Sequence, residues 1–226
     1  MTIFSTLVGS FAGAGLAFVS NRYADHVERN RANLAAGNMA SAILSRQYGD
    51  FVIFRASLQA EATTKHQHPD WLQISPSFLS FPEWLAIDIK SLTFILQHGQ
   101  RDLFAKLLDV QARYDDLRKL IAINNEACAA RDDALAKADL ANADPFVDQY
   151  RFEAAIDATL RAKLSGLNAS LRHRAKNELV NYQTTGRALR DFMLSLYQVA
   201  EVMTFTAMGA QKELATAPWR LDDHRS

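Results

Sequence analysis

The sequence predicts an all-α protein, with an N-terminal transmembrane helix continuing into a cytoplasmic antiparallel bundle of four to five long helices. Three observations predict it. Only 9 Gly and 5 Pro occur in 226 residues, while Ala and Leu abound, so helix breakers are scarce and strong helix formers common. No charge interrupts Ile3 to Ser20. From Leu103 to Leu135 apolar residues recur at spacings of four and three, the seam of near-parallel packed helices. Apolar residues make up 49% and charged residues 22%, a composition that excludes a disordered chain.

The opening segment, 1–21, reads as a membrane anchor. At 1.5 Å per residue Ile3 to Ser20 spans roughly 27 Å, close to a hydrocarbon core of about 30 Å, and Arg22 and Tyr23 stand where interfacial residues belong. Two assignments compete. A cleaved signal peptide would use a small-x-small site at Gly15 and Ala17, but no Lys or Arg precedes the apolar stretch as a signal peptide requires. A soluble core helix rarely begins at residue 3 and runs uncharged this long. Arg22, Arg29 and Arg31 lie just behind it, so the positive-inside rule places the N-terminus outside and residues 22–214 in the cytoplasm, against the inner (plasma) membrane. On a helix, Ile3, Phe4, Leu7, Val8, Phe11, Phe18 and Val19 share one face. Thr6, Gly9, Ser10, Gly13, Ala17 and Ser20 share the other. Small and hydroxyl residues let two helices approach closely in lipid, so this second face is expected to mediate self-association. Small residues are also common in membrane helices at large. A pore lined by Thr6, Ser10 and Ser20 is a stronger version of the same reading.

Beyond the anchor the first helix is expected to run on to about Ala62. An irregular loop, 63–81, follows, carrying Pro69 and Pro76. Pro82, suited to a first helical turn, opens a helix to about Gln97. The heptad seam then takes in Leu103, Leu107, Val110, Tyr114, Leu117, Ile121, Asn124, Cys128, Arg131 and Leu135. Asp144-Pro145 reads as a cap and first-turn proline, starting a helix with Leu160, Leu164, Leu167 and Leu171. Thr184, Thr185 and Gly186 mark either a turn before a last helix from Arg187 to Leu214 or a stretch through which the helix continues, and 215–226 is a polar tail. Phe192 to Met208 is apolar enough to raise a second span, but Glu201 interrupts it, and a carboxylate at the centre of a span is costly.

The chemistry is sparse. Equal numbers of basic and acidic residues, 25 each, argue against general nucleic-acid binding. The single cysteine excludes an internal disulfide, and on the seam it reads as a small buried residue. No Glu-x-x-His pair of the bundle metalloenzymes occurs; His66, His68 and Asp70 lack a third convincing ligand, so neither metal nor cofactor is expected. Neither a phosphate-binding Gly loop nor a Gly-x-Ser-x-Gly elbow is present. The Arg-x4–6-His motif of HEPN-type ribonucleases is missing too, since Arg22–His26 and Arg220–His224 have only three intervening residues. Asn124 and Arg131 on the seam, and Glu201, read as buried polar residues that set register, with Arg131 expected to pair with Glu201 or to reach solvent at a helix edge. Trp71, Phe78, Phe81 and Trp84 form an aromatic loop that either lids the bundle or meets a partner.

In layout alone, one span followed by a helical bundle resembles the small membrane-anchored accessory and effector proteins of bacterial antiviral systems. The expected function is a single-pass, self-associating, non-catalytic scaffold or effector, with membrane lipid and further copies of the chain as partners. An oligomeric membrane pore and a HEPN-like enzyme without a recognisable motif are the alternatives.

Overall fold

The computed structural model describes residues 2–65, 68–77, 81–141, 143, 149–197 and 202, apart from the side chains of residues 2–15 and 149. These residues form helices and no strand: α1 (Thr2–Thr64), α2 (Asp70–Gln73), a 3-10 turn (Ile89–Leu92) running into α3 (Thr93–Gln97), α4 (Arg101–Lys137), α5 (Gln149–Ala155) and α6 (Ala158–Tyr197). Three of them are long, fewer than the four or five expected. Among the described residues no helix is long and apolar enough to cross a membrane. Most of the expected span, including Thr6, Gly9, Ser10 and Gly13, has side chains outside the described residues, while Ala17 and Ser20 are exposed.

The helices assemble into a bundle in which α6 runs antiparallel to both α1 and α4. Tyr182 Oη donates to the Val110 carbonyl (3.0 Å), and Arg113 meets Glu178 at 2.9 Å, which sets the order along α4 and α6. Gln183 donates to Tyr48 Oη (2.7 Å), and the Phe51 and Tyr182 rings lie 5.1 Å apart, which sets α1 against α6. Consequently α1 and α4 run parallel, as the Gln47–Gln111 (3.0 Å) and Tyr114–Asp50 (3.1 Å) hydrogen bonds confirm. Two consecutive long helices that run parallel need a connection that travels back along their whole length. Residues 65–100 supply it.

That connection departs most from expectation. Pro82 opens no helix to Gln97. Instead the described residues 74–77 and 81–88 are mostly irregular, and only the 3-10 turn and α3 follow. Pro76 and Pro82 remove backbone donors and bias Ser75 and Phe81 towards extended conformations. The next residues alternate as extended chain does: Leu85 and Ile87 are buried, Trp84, Ala86 and Asp88 exposed. The result is a strap that lies along α4, beginning near Arg131 and ending near Gln111.

Aromatics from each packed element meet at the centre. Phe81 of the strap contacts Phe51 (6.3 Å between centroids) and Phe54 (5.8 Å) of α1 and Tyr114 of α4 (5.6 Å), and Phe51 reaches Tyr182 of α6. All ten positions of the α4 seam are buried. Towards the other end of α1, Gly37 is there for close approach: a Cβ on it would come within 2.3 Å of Met193 Cε.

Helix ends follow local chemistry. α3 stops at Gly99 (φ 76°), with Gly99 N–H donating to the Leu96 carbonyl and Gln100 N–H to that of Ile95. α4 stops in the same way at Asp139 (φ 57°), with bonds to the Ala136 and Leu135 carbonyls. Both are Schellman closures, in which a left-handed residue satisfies the last carbonyls. Before α6 the chain breaks at Ile156–Asp157, unanticipated from the sequence. Asp157 Oδ2 accepts from the N–H groups of Thr159 (3.1 Å) and Leu160 (3.2 Å), as an N-cap does. The start expected at Asp144-Pro145 lies outside the described residues. No turn forms at Thr184–Gly186. α6 passes straight through, because Thr184 Oγ1 donates back to the Val180 carbonyl (3.0 Å), an in-helix bond open to threonine, and Thr185 and Gly186 are buried.

Candidate functional site

Two features distinguish the molecule: a polar spine that holds the strap, and a helix that leaves the bundle.

A buried, irregular backbone must find hydrogen bonds outside itself. Side chains of α1 and α4 provide them. Gln47 Nε2 donates to the Leu85 carbonyl (2.8 Å), and Gln111 Oε1 accepts from Ile87 N–H (2.9 Å). Asn125 makes a two-way pair with Ser77, accepting from its N–H (2.8 Å) and donating to its carbonyl (3.1 Å). Arg131, 6% exposed, donates from Nη1 to the Ile74 carbonyl (2.9 Å), while its Nη2 meets Asp132 at 2.8 Å. Asn124, 1% exposed, reaches the Ser75 carbonyl at 3.5 Å, and its Oδ1 is shielded and accepts no hydrogen bond among the described residues. These two seam residues therefore hold the strap. Glu201, the expected partner of Arg131, lies outside the described residues. Gln47, Gln111 and Asn125 belong to the same spine and were missed from the sequence. The available signal was a row of amides opposite a proline-interrupted segment that has no helical period of its own.

Of the aromatic loop, Trp71 and Phe81 are buried in the core, Trp84 is 78% exposed, and Phe78 lies outside the described residues. The segment runs along the bundle rather than over its end. Between strap, α1, α4 and α6 a cavity of about 320 Å3 is lined by Phe54, Leu58, Glu61, Ile74, Asn124 and Leu171, at the small end of ligand-sized cavities.

Titratable groups in the core are shifted by burial. Desolvation holds the Asp50 carboxyl above its ordinary range against the opposing effects of the Tyr114 hydroxyl and Arg46. Desolvation and the neighbouring Asp50 push Tyr114 up. Cys128 is fully buried, its Sγ 3.8 Å from the Ile74 carbonyl, and burial pushes its thiol up, the condition of an unreactive cysteine. Among the described residues no group of three or more His, Cys, Asp or Glu could hold a metal ion. His66 lies outside them, and His68 Nδ1 and Nε2 take part in no described metal-ligating cluster.

The second feature is α1 itself. Among its described side chains, residues 16–32 are exposed but for the partly buried Val27, and Leu34 and Ala36 pack against the core, so residues 16–32 form an arm about 25 Å long at 1.5 Å per residue. Leu16, Phe18, Val19 and Tyr23 on this arm are 73%, 59%, 65% and 72% exposed. The Arg22 guanidinium lies 4.9 Å from the centroid of the Phe18 ring.

No family model matches the chain, and neither a curated protein nor a solved structure is detectably similar to it.

Proposed function

We propose that the protein is a single-pass, membrane-anchored helical-bundle scaffold or effector that self-associates and has no catalytic activity of its own. In this reading the arm of α1 enters the membrane N-terminus outwards, and the strapped bundle is held in the cytoplasm. The observation that carries the reading is the continuity of α1. One helix joins the uncharged stretch Ile3–Ser20 to the bundle, and the large apolar residues at its inner end have no bundle surface to cover them. An isolated soluble arm of that kind would expose a contiguous apolar surface to water at considerable cost; acyl chains remove that cost. The interfacial order, with Arg22 and Tyr23 separated from Ser20 by Asn21 alone, suits the same placement.

Membrane fractionation tests it. The full-length chain is expected to stay with membranes through an alkaline carbonate wash and to require detergent for release. Recovery of the intact chain in the wash overturns the anchor. Deleting residues 2–20 is expected to move the protein into the wash.

A further inference from the structure

At the root of the arm a cleft of about 710 Å3 opens between α1 and the end of α3. Arg22, His26 and Arg29 line it from α1 and His98 from α3, with Asp25 on the same wall. The spacing i, i+4, i+7 puts Arg22, His26 and Arg29 on one helix face.

The charges of these arginines are uncommitted. Arg22 lies over the Phe18 ring, and Arg29 Nε donates to the Asp25 carbonyl at 3.3 Å. Among the described residues neither meets a carboxylate. His26 adds a donor. Asn30 Nδ2 donates to His26 Nδ1 (2.9 Å), which leaves the ring proton on Nε2. His98 is held by donation from Nδ1 to the Phe94 carbonyl (2.8 Å) and by edge contact with the Phe192 ring. Two guanidinium forks with the His26 Nε2–H donor between them are groups that recognise a phosphate.

The location identifies its source. The cleft begins within two residues of Ser20, at headgroup depth if the stretch before it lies in lipid. Asp25 repels a bare phosphate dianion but accepts from hydroxyls. We propose that the cleft binds the phosphodiester of an anionic phospholipid whose headgroup carries hydroxyl donors, of the glycerol type. The inference rests on the anchor reading for its placement and is tested apart from it.

The full-length chain in non-ionic detergent is titrated with phosphatidylglycerol and with phosphatidylcholine, and retained lipid is read by native mass spectrometry. The same protein is titrated with the soluble headgroup glycerophosphoglycerol by phosphorus NMR. Phosphatidylglycerol is expected to bind preferentially. Each arginine near an anionic lipid is worth about fivefold in affinity, so Arg22→Gln with Arg29→Gln weakens that binding by roughly 25-fold and leaves phosphatidylcholine unaffected. Both positions are exposed, and an unchanged helical circular dichroism spectrum checks the fold. Equal affinity for the two lipids, or an unaltered double variant, overturns the proposal. So does displacement of phosphatidylglycerol by equimolar inorganic phosphate, which makes the free anion the ligand. Should the anchor alone be wrong, the chain washes off membranes while glycerophosphoglycerol still binds in an arginine-dependent way.

Discussion

At the scale of single residues, Arg131 and Asp50 show two opposite ways of burying a charge. The Arg131 guanidinium spends its donors on strap carbonyls and on Asp132, so its burial is compensated. Arg131→Leu leaves the Ile74 carbonyl with only the weak Cys128 S–H donor, and the lost bonds and packing are expected to cost about 2–4 kcal/mol. Urea unfolding of the full-length chain in mild detergent measures this. Trp71, whose carbonyl lies 3.5 Å from Arg131 Nη1, reports strap release by its fluorescence. A loss below about 0.5 kcal/mol means that the strap does not depend on this residue. Asp50 is the poorly compensated case, held above its ordinary range chiefly by desolvation. A raised carboxyl binds its proton more tightly folded than unfolded. Its contribution to stability is thus complete below the unfolded value and lost as pH rises through the folded one. Asp50→Asn, which keeps an acceptor for Tyr114, is therefore expected to match the wild type near pH 4 and to be more stable by about 1 kcal/mol at pH 7. A difference independent of pH contradicts this account.

Elements differ in how plainly the sequence announces them. α4 was legible almost to the residue, from 103–135 expected to Arg101–Lys137 observed, because its ten seam positions repeat one environment for five turns or more. The early part of α6 was legible for the same reason, and its passage through Thr184–Gly186 was not. Turn propensity there is a local preference of a fraction of a kcal/mol per residue, and burial of Thr185, Gly186 and Leu189 in the bundle outweighs it. The strap was misread because Pro82 suits a helix start and an extended stretch equally. Only the short alternation Leu85-Ala86-Ile87-Asp88 separates the two, and it covers too few residues to stand out. For the polar spine, Asn124 and Arg131 could be picked from their seam positions, but their strap partners depend on a long-range pairing that no spacing encodes. The two Schellman closures give an element-scale test, since they share hydrogen-bond geometry and differ in the left-handed residue, Gly99 in one and Asp139 in the other. Glycine adopts that conformation without a Cβ penalty. Asp139→Gly is expected to raise stability by about 0.5–1 kcal/mol and Gly99→Ala to lower it by about 1 kcal/mol, read as opposite shifts of the thermal midpoint. A midpoint lowered by both substitutions means that the Asp139 side chain matters more than its backbone.

For the whole molecule the bundle and the arm pose separate problems of association. The bundle closes most of its apolar surface on itself; Met39, Ile53 and Val180 are exposed at 63%, 54% and 61%, on two different helices. Residues 16–32 of the arm are exposed but for the partly buried Val27, and in lipid apolar bulk gives two helices no reason to meet, since acyl chains solvate Leu and Phe equally well. What favours association there is close backbone approach with short-range packing and interhelical hydrogen bonds, which Gly9, Gly13 and Ala17 permit and Thr6 and Ser10 can supply. If copies of the chain meet through that face, Gly9→Leu with Gly13→Leu separates the backbones and removes on the order of 1–2 kcal/mol, a shift of about tenfold in the dissociation constant. Light scattering on the detergent-solubilised chain, followed through a dilution series, is expected to show the oligomer giving way to monomer at concentrations where the wild type remains assembled. Val8→Leu, on the opposite face, is expected to leave the dilution curve unchanged. An oligomer that survives the glycine substitutions places the contact on the bundle. There the exposed Met39 of α1, the nearer of its two exposed bundle hydrophobics to the arm, becomes the residue to alter next.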